Sequence, residues 1–252
     1  MSNALLLLLL ALAAARAAAA ETLVGIRLLP FNLPAGCERV AYLDPAGNLR
    51  ETELRRNHTG ARLRLAHAPE IRLFFPPDEA LLARLRREQG LPEGAKPRVG
   101  ADRLRVLASI RCPQAGPRMM AVLFGGEAPG PPLVGVAAPD DAASFPAGSY
   151  RVYNLTSLEI GGRVDGRDVR IGPLAAGQLT VGPGRDFPAR LDIADRLGER
   201  RPLLEATWRI EADERRVLFV WEDPAAGRVR FQGMTEPMAA AEGADEPEAP
   251  RR

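Results

Sequence analysis

The side chains that could do chemistry in this chain are few and scattered. His58 and His67 are its only imidazoles, and Cys37 and Cys112 its only thiols, in 252 residues. His58 stands in the turn-like run Arg56-Asn57-His58-Thr59-Gly60, and His67 lies between a strand pattern and Pro69. Neither has a partner motif beside it. No Cys or His sits at ligand spacing from either cysteine, so no metal site and no cofactor is expected. The chain holds no Gly-x-Ser-x-Gly elbow, phosphate loop, dinucleotide fingerprint or zinc helix motif. Carboxylate pairs for sugar hydrolysis are close in space rather than in sequence, and the candidates are Asp140-Asp141, Asp213-Glu214 and Glu222-Asp223. All three lie in linker or turn-like segments, where acidic residues are ordinary. No catalytic residue is assigned and the chain reads as non-enzymatic.

Two further sets could bind rather than react. Flat rings stack on the apolar faces of sugars, and Tyr150, Tyr153, Trp208 and Trp221 are the candidate binding aromatics. Their patterning also fits a core, because Trp208 shares a strand face with Ala206 and Ile210, and Trp221 with Val217 and Phe219. Cys37 and Cys112 form the candidate disulfide. An even pair in an exported chain reads that way, and closing so long a loop would stabilise by roughly 4–5 kcal/mol in the chain-entropy model. The alternative is two separate buried thiols.

Export is read from the N-terminus. An apolar run from Ala4 to Ala15, with leucine from Leu5 to Leu10, is followed by Arg16 and by small residues up to Ala20. This is the form of a signal peptide over 1–20, cut before Glu21. An uncleaved anchor is the alternative, but Arg16 ends the run short of the roughly 20 residues a spanning helix needs. A periplasmic or secreted bacterial protein is expected, with no stable membrane insertion after cleavage. A net charge of +2 argues against a nucleic-acid groove, which needs clustered cations. The basic residues are nearly all arginine, with Lys96 the single lysine.

The elements that would position these residues are strands. Leu63 and Leu65 alternate with Arg62 and Arg64, a period of two, and Asp44-Pro45-Ala46-Gly47-Asn48 separates two such runs as a hairpin turn. One helix signal stands out after Pro76-Pro77, with Asp78 as N-cap, Leu81, Leu82 and Leu85 as its apolar stripe, and Gly90 as its stop. From Ala138 to Ala143 the chain turns Pro-, Asp- and Ala-rich, which marks a domain boundary. Beyond it, short strand candidates recur, among them Tyr150–Leu155, Ser157–Ile160 and Arg216–Trp221, with Gly161-Gly162 and Asp165-Gly166 read as turns. The expectation is an all-β, mainly antiparallel chain: two β-sandwich domains, Ig-like or similar, with one short surface helix. The N-terminal β-rich domain covers 21–138, the C-terminal sandwich 139–236, and a disordered tail 237–252. Asn57-His58-Thr59 and Asn154-Leu155-Thr156 match the glycosylation acceptor pattern, and neither is read as modified.

Phe145-Pro146-Ala147-Gly148-Ser149-Tyr150 runs on to Asn154-Leu155-Thr156, and later segments carry Thr207-Trp208-Arg209 and Arg215-Arg216-Val217-Leu218-Phe219-Val220. In these motifs the C-terminal half resembles a family of uncharacterised exported bacterial β-sandwich proteins. That resemblance implies a β-sandwich, carries no known activity and transfers no functional residues. Three functional readings follow. The first is a non-catalytic envelope protein acting by contacts with another envelope protein, docked through exposed strand edges. The second is a glycan- or envelope-polymer-binding module using the four aromatics. A hydrolase with an acidic pair stands last.

Overall fold

Alternating apolar and polar residues, punctuated by Pro, Gly and Asp, favour strands over most of this chain, and strands dominate the observed structure. A computed structural model describes residues 23–114, 116–126, 130–194, 197–223 and 228–237. The signal peptide expected over 1–20 and positions 238–252 of the tail expected over 237–252 lie outside the described residues, while Pro237 itself is described and ends a strand.

The first sheet is built from β1 (Leu23–Pro30), β2 (Arg39–Leu43), β3 (Leu49–Glu53), β4 (Arg62–Ala66), β5 (Glu70–Phe74), β6 (Val106–Arg111), β7 (Arg118–Gly125) and β8 (Leu133–Pro139). Their order is β3-β2-β5-β6-β8-β7-β1-β4. Pairing is antiparallel except for β1 with β7 and β6 with β8. One face of this sheet gathers Val24, Ile26, Leu63, Leu65, Leu73, Ile110 and Leu123 into a single apolar cluster. The opposite face of β2 and β5 is covered by α1 (Glu79–Glu88), whose Leu85 packs with Ala41, Phe74, Val99 and Leu104. The helix begins where the sequence places it: the Asp78 carboxylate accepts from the Leu81 amide at 2.7 Å, and Gly90 follows its end at φ +64°. No helix among the described residues is long and apolar enough to cross a membrane.

Cys37 and Cys112 both lie in the first sheet's cluster as free thiols. The disulfide expected from their even number is therefore not formed. Each serves as a small apolar side chain, Cys112 donating only to Gln114 O at 3.5 Å. Burial pushes both thiols above their ordinary pKa, with Glu38 adding to the effect at Cys37.

The second half of the chain forms two four-stranded sheets. One takes β10 (Ile160–Val164), β11 (Arg167–Ile171), β13 (Phe187–Ala194) and β14 (Arg200–Trp208) in the order β11-β10-β13-β14. The other takes β9 (Ser149–Asn154), β12 (Ala175–Thr180), β15 (Glu214–Asp223) and β16 (Arg228–Pro237) in the order β12-β9-β15-β16, with β9 and β15 parallel. This last sheet is the central layer. Tyr150, Val152, Leu218 and Val220 pack on Ile160, Leu191 and Ile193 of one neighbouring sheet. Tyr153, Val217 and Phe219 pack on Leu29, Met120, Val122 and Val136 of the other. With apolar partners on both faces, β9 is buried at every residue.

One boundary differs from expectation. Gly161-Gly162 is not a turn after a strand at 157–160; both glycines lie inside β10. A Cβ at Gly162 would stand 2.1 Å from Arg190 O, and one at Gly161 would stand 1.9 Å from the Arg200 guanidinium. At Gly162 glycine is used for close approach to the β13 backbone rather than for reversal, whereas Gly161 faces the movable end of the Arg200 side chain on β14. The reversal comes at Asp165-Gly166, where φ is +50° and +75°, the pair of positive angles that a tight hairpin requires.

Candidate functional site

The seam between the first sheet and the central sheet holds the groups that could recognise or react, and its two ends differ. Arg215 and Trp221 mark those ends on β15, six residues or roughly 20 Å apart at strand rise.

At the Arg215 end lies a closed ring of ion pairs. Arg27 interrupts the apolar run of β1 on the face turned to the seam. Its Nε and Nη2 donate to Asp140 at 2.7 and 3.0 Å, and its Nη1 donates to Glu236 at 2.8 Å. Arg215 donates from Nε to the other oxygen of Glu236 and from Nη2 to Asp140, both at 3.0 Å. Arg62 approaches Asp140 at 3.6 Å. The side chain of Asp140 has no exposed surface, and those of Arg27 and Arg215 have 2 %. Burial alone would loosen the Arg27 proton, but Asp140 and Glu236 outweigh it and hold the guanidinium charged.

A further arginine, Arg151, is buried beside the ring. It donates to Ser144 O at 3.0 Å, Gln178 Oε1 at 3.1 Å and Pro139 O, with its guanidinium 4.1 Å above the Phe145 ring. Arg215 approaches the same ring at 4.7 Å. Burial pulls the Arg151 pKa down and pushes the fully buried Tyr153 phenol well up. That phenol donates to Met120 O at 3.1 Å. Both oxygens of Asp140 are committed to guanidinium donors of Arg27 and Arg215.

From the middle of the seam an aromatic ladder leads outward. Tyr153 stacks on Phe219 at 6.3 Å, Phe219 on Phe31 at 4.7 Å, and Phe31 meets the edge of Trp221 at 4.8 Å. Trp221 is half-buried and forms a wall of two adjoining hollows of about 510 and 350 Å³, which also share Phe31, Asn32 and Glu222. Asn32, Asn57 and Gln232 stand exposed at the rim. Their side-chain amides make no hydrogen bond among the described residues. Arg230 pairs with Asp223 at 2.5 Å, and Glu222 accepts from Ser157 Oγ at 3.0 Å.

The four candidate aromatics are thus divided. Tyr153 and Trp221 belong to the seam ladder. Tyr150 and Trp208 stack on each other at 4.9 Å between the other pair of sheets, with Phe187 and Phe231 around them. Tyr150 and Tyr153 are three residues apart on one strand, so they face opposite ways.

Of the candidate acidic residues, all but the exposed Asp213 have partners that hold structure. Asp140 is in the ring, Asp141 accepts from Ser144 N at 2.8 Å and Ser144 Oγ at 3.0 Å, and Glu214 lies 3.5 Å from Arg216. His58 is exposed, while His67 keeps a buried Nε2 without a partner. Among the described residues no group of three or more His, Cys, Asp or Glu could hold a metal ion. Asn154 is wholly buried: its amide donates to Leu158 O at 2.7 Å and Gly172 O at 2.9 Å, and its carbonyl accepts from Thr156.

Sequence reasoning missed the ion ring. The sequence marks Asp140 only as half of an acidic pair in a linker and Arg215 only as part of the motif behind the family resemblance, and it marks neither Arg27 nor Glu236 with a motif. The available signal was Arg27 itself, a lone charge inside Leu23–Pro30. No protein-family model matches this sequence, and a search of the curated proteins gives no match.

Proposed function

We propose that this is a non-catalytic binding protein of the bacterial envelope, made of two Ig-like β-sandwich units, that holds a saccharide in the seam groove at Trp221. The observation that carries this reading is a half-buried indole beside three exposed amides, Asn32, Asn57 and Gln232, that have no partner of their own. An indole offers an apolar face for the C–H surface of a sugar ring, and amides both donate and accept for its hydroxyls. The hollows are of the size that small ligands occupy. Support for export and for a bacterial envelope location comes from the leader-like N-terminus and the resemblance of the C-terminal half to an exported family.

Docking of a partner protein through strand edges has weaker support. Edge strands that recruit other strands are long and bare, whereas charge and proline blunt them. Five of the six sheet-edge strands among the described residues are blunted in this way: β3 carries Arg50, Glu51 and Glu53, β4 Arg62 and Arg64, β11 Arg167, Asp168 and Arg170, β14 Arg200, Arg201 and Pro202, and β16 Arg228 and Arg230, while the sixth, β12, carries no charge.

Calorimetric titration against a panel of neutral oligosaccharides tests the reading. A member of the panel is expected to bind, and Trp221→Ala is expected to weaken that binding at least about tenfold at a temperature where circular dichroism shows the variant still folded. If no saccharide binds while crosslinking of the tagged protein returns a discrete protein partner, the glycan reading falls and the edge-contact reading replaces it.

A further inference from the structure

A second cleft, of about 630 Å³, lies away from the seam between α1 and β3. Four cations line it, Arg50, Arg86, Lys96 and Arg98, against one carboxylate, Glu51. Three of the five charges already have partners. Glu51 pairs with Arg39, Arg50 donates to Asp44 at 3.1 Å, and Arg86 donates to Glu79 at 2.5 Å and to Ala95 O at 2.9 Å. Lys96 and Arg98 are exposed, and among the described residues neither side chain has an ion pair or hydrogen bond.

The cleft is held in shape by bonds that leave those two charges free. Gln89 receives the Arg98 amide at 3.0 Å and donates to Arg98 O at 2.7 Å, which fixes the loop against the end of α1. Asp44 accepts from the amides of Ala46 and Asn48 and fixes the opposite wall. Leu49, Leu82 and Pro97 supply an apolar lining. A concave surface concentrates the field of unpaired charges, and an arginine fork matches a planar carboxylate.

We infer that the α1–β3 cleft binds an acidic saccharide, its carboxylate held by Lys96 and Arg98 and its ring resting on Leu49, Leu82 and Pro97. This site is separate from the seam groove and does not depend on the reading of Trp221.

Titration of the purified protein with trigalacturonate at low salt tests the inference, with maltotriose as the neutral control. Trigalacturonate is expected to bind, to weaken as salt rises, and to lose at least about tenfold in affinity in the Lys96→Gln/Arg98→Gln variant. Trp221→Ala is expected to leave this binding unchanged, which separates failure here from failure at the seam. Equal affinity in the double variant, or no binding at millimolar concentration, overturns the assignment. So does displacement by inorganic phosphate at equal concentration, which would mean that the cleft reads the anion and not the sugar. Both substituted side chains are exposed, so the variant is expected to unfold at the same temperature as the parent.

Discussion

Arg27 and Arg215 meet on a single oxygen: Asp140 Oδ1 accepts from Nη2 of each at 3.0 Å. One arginine comes from the first sheet and the other from the central sheet, so this atom fastens the two layers at one end of their seam. Glu236 closes the ring from the other side.

Breaking that ring by removing one member is expected to cost far more than its net contribution to folding, because the remaining charges stay buried without compensation. Asp140→Asn would leave Arg27, Arg215 and Arg151 against Glu236 alone. The expected loss is about 3–5 kcal/mol in a urea unfolding experiment, against a change within about 0.5 kcal/mol for the exposed Asp213→Asn. A loss below about 1 kcal/mol for Asp140→Asn would mean that the layers are held by apolar contact alone.

Acid should loosen the molecule in a defined window. Burial alone would raise the carboxyls of Asp44 and Asp141, but hydrogen bonds outweigh it, from Asn48, Arg50 and Ala46 at the first and chiefly from Ser144 at the second. Both are held below the ordinary value of 3.8. A carboxyl depressed in the folded state contributes stability that is complete above its unfolded pKa and is lost as pH falls through its folded pKa. Thermal midpoints recorded from pH 7 to pH 2 should therefore stay level until about pH 4 to 5 and fall below it. The Asp44→Asn/Asp141→Asn variant should show a shallower decline.

The two thiols give a direct check on the packing of the first sheet. Cys37 and Cys112 are buried and their pKa values are pushed up, so neither the thiolate nor access is available to a reagent. Thiol titration should find no reactive sulfhydryl in the native protein and two after denaturation, and a reductant should not move the thermal midpoint. A reductant-sensitive midpoint would show that the sulfurs are joined.

The strands were legible because each needs only its own residues. The Leu63/Leu65 against Arg62/Arg64 rhythm of β4 names its buried face without reference to any partner, and Asp78 with Gly90 bounds α1 in the same way. What lay beyond reach depends on residues far along the chain. Arg27 finds its acids 113 and 209 positions away, and nothing near it in sequence says that its charge is compensated. Arg151 and Arg215 are buried because both faces of the central sheet are covered, and no residue near either of them in sequence signals that. Gly161-Gly162 has the local form of a turn, and only the approach of β13 makes it a strand. At the candidate groove, Trp221 was visible as an aromatic, but the amides at its rim come from loops after β1 and β3 and from β16, and no local pattern joins them.

Asn154 offers the sharpest separation between a sequence pattern and its physical role. It satisfies the glycosylation acceptor pattern, yet its amide nitrogen serves carbonyls of Leu158, Ile171 and Gly172 and its oxygen serves Thr156. It closes the end of β9 and ties down the segments that follow β9 and β11. Asn154→Ala would strand several buried polar groups at once, each costing about 1–3 kcal/mol when left unpaired, so a loss of about 3 kcal/mol or more is expected. Asn154→Asp should fare no better, since a carboxylate cannot donate to three carbonyl oxygens and would repel them. If Asn154→Asp unfolded at the same urea concentration as the parent, the amide would be dispensable and the end of β9 would be held by backbone pairing alone.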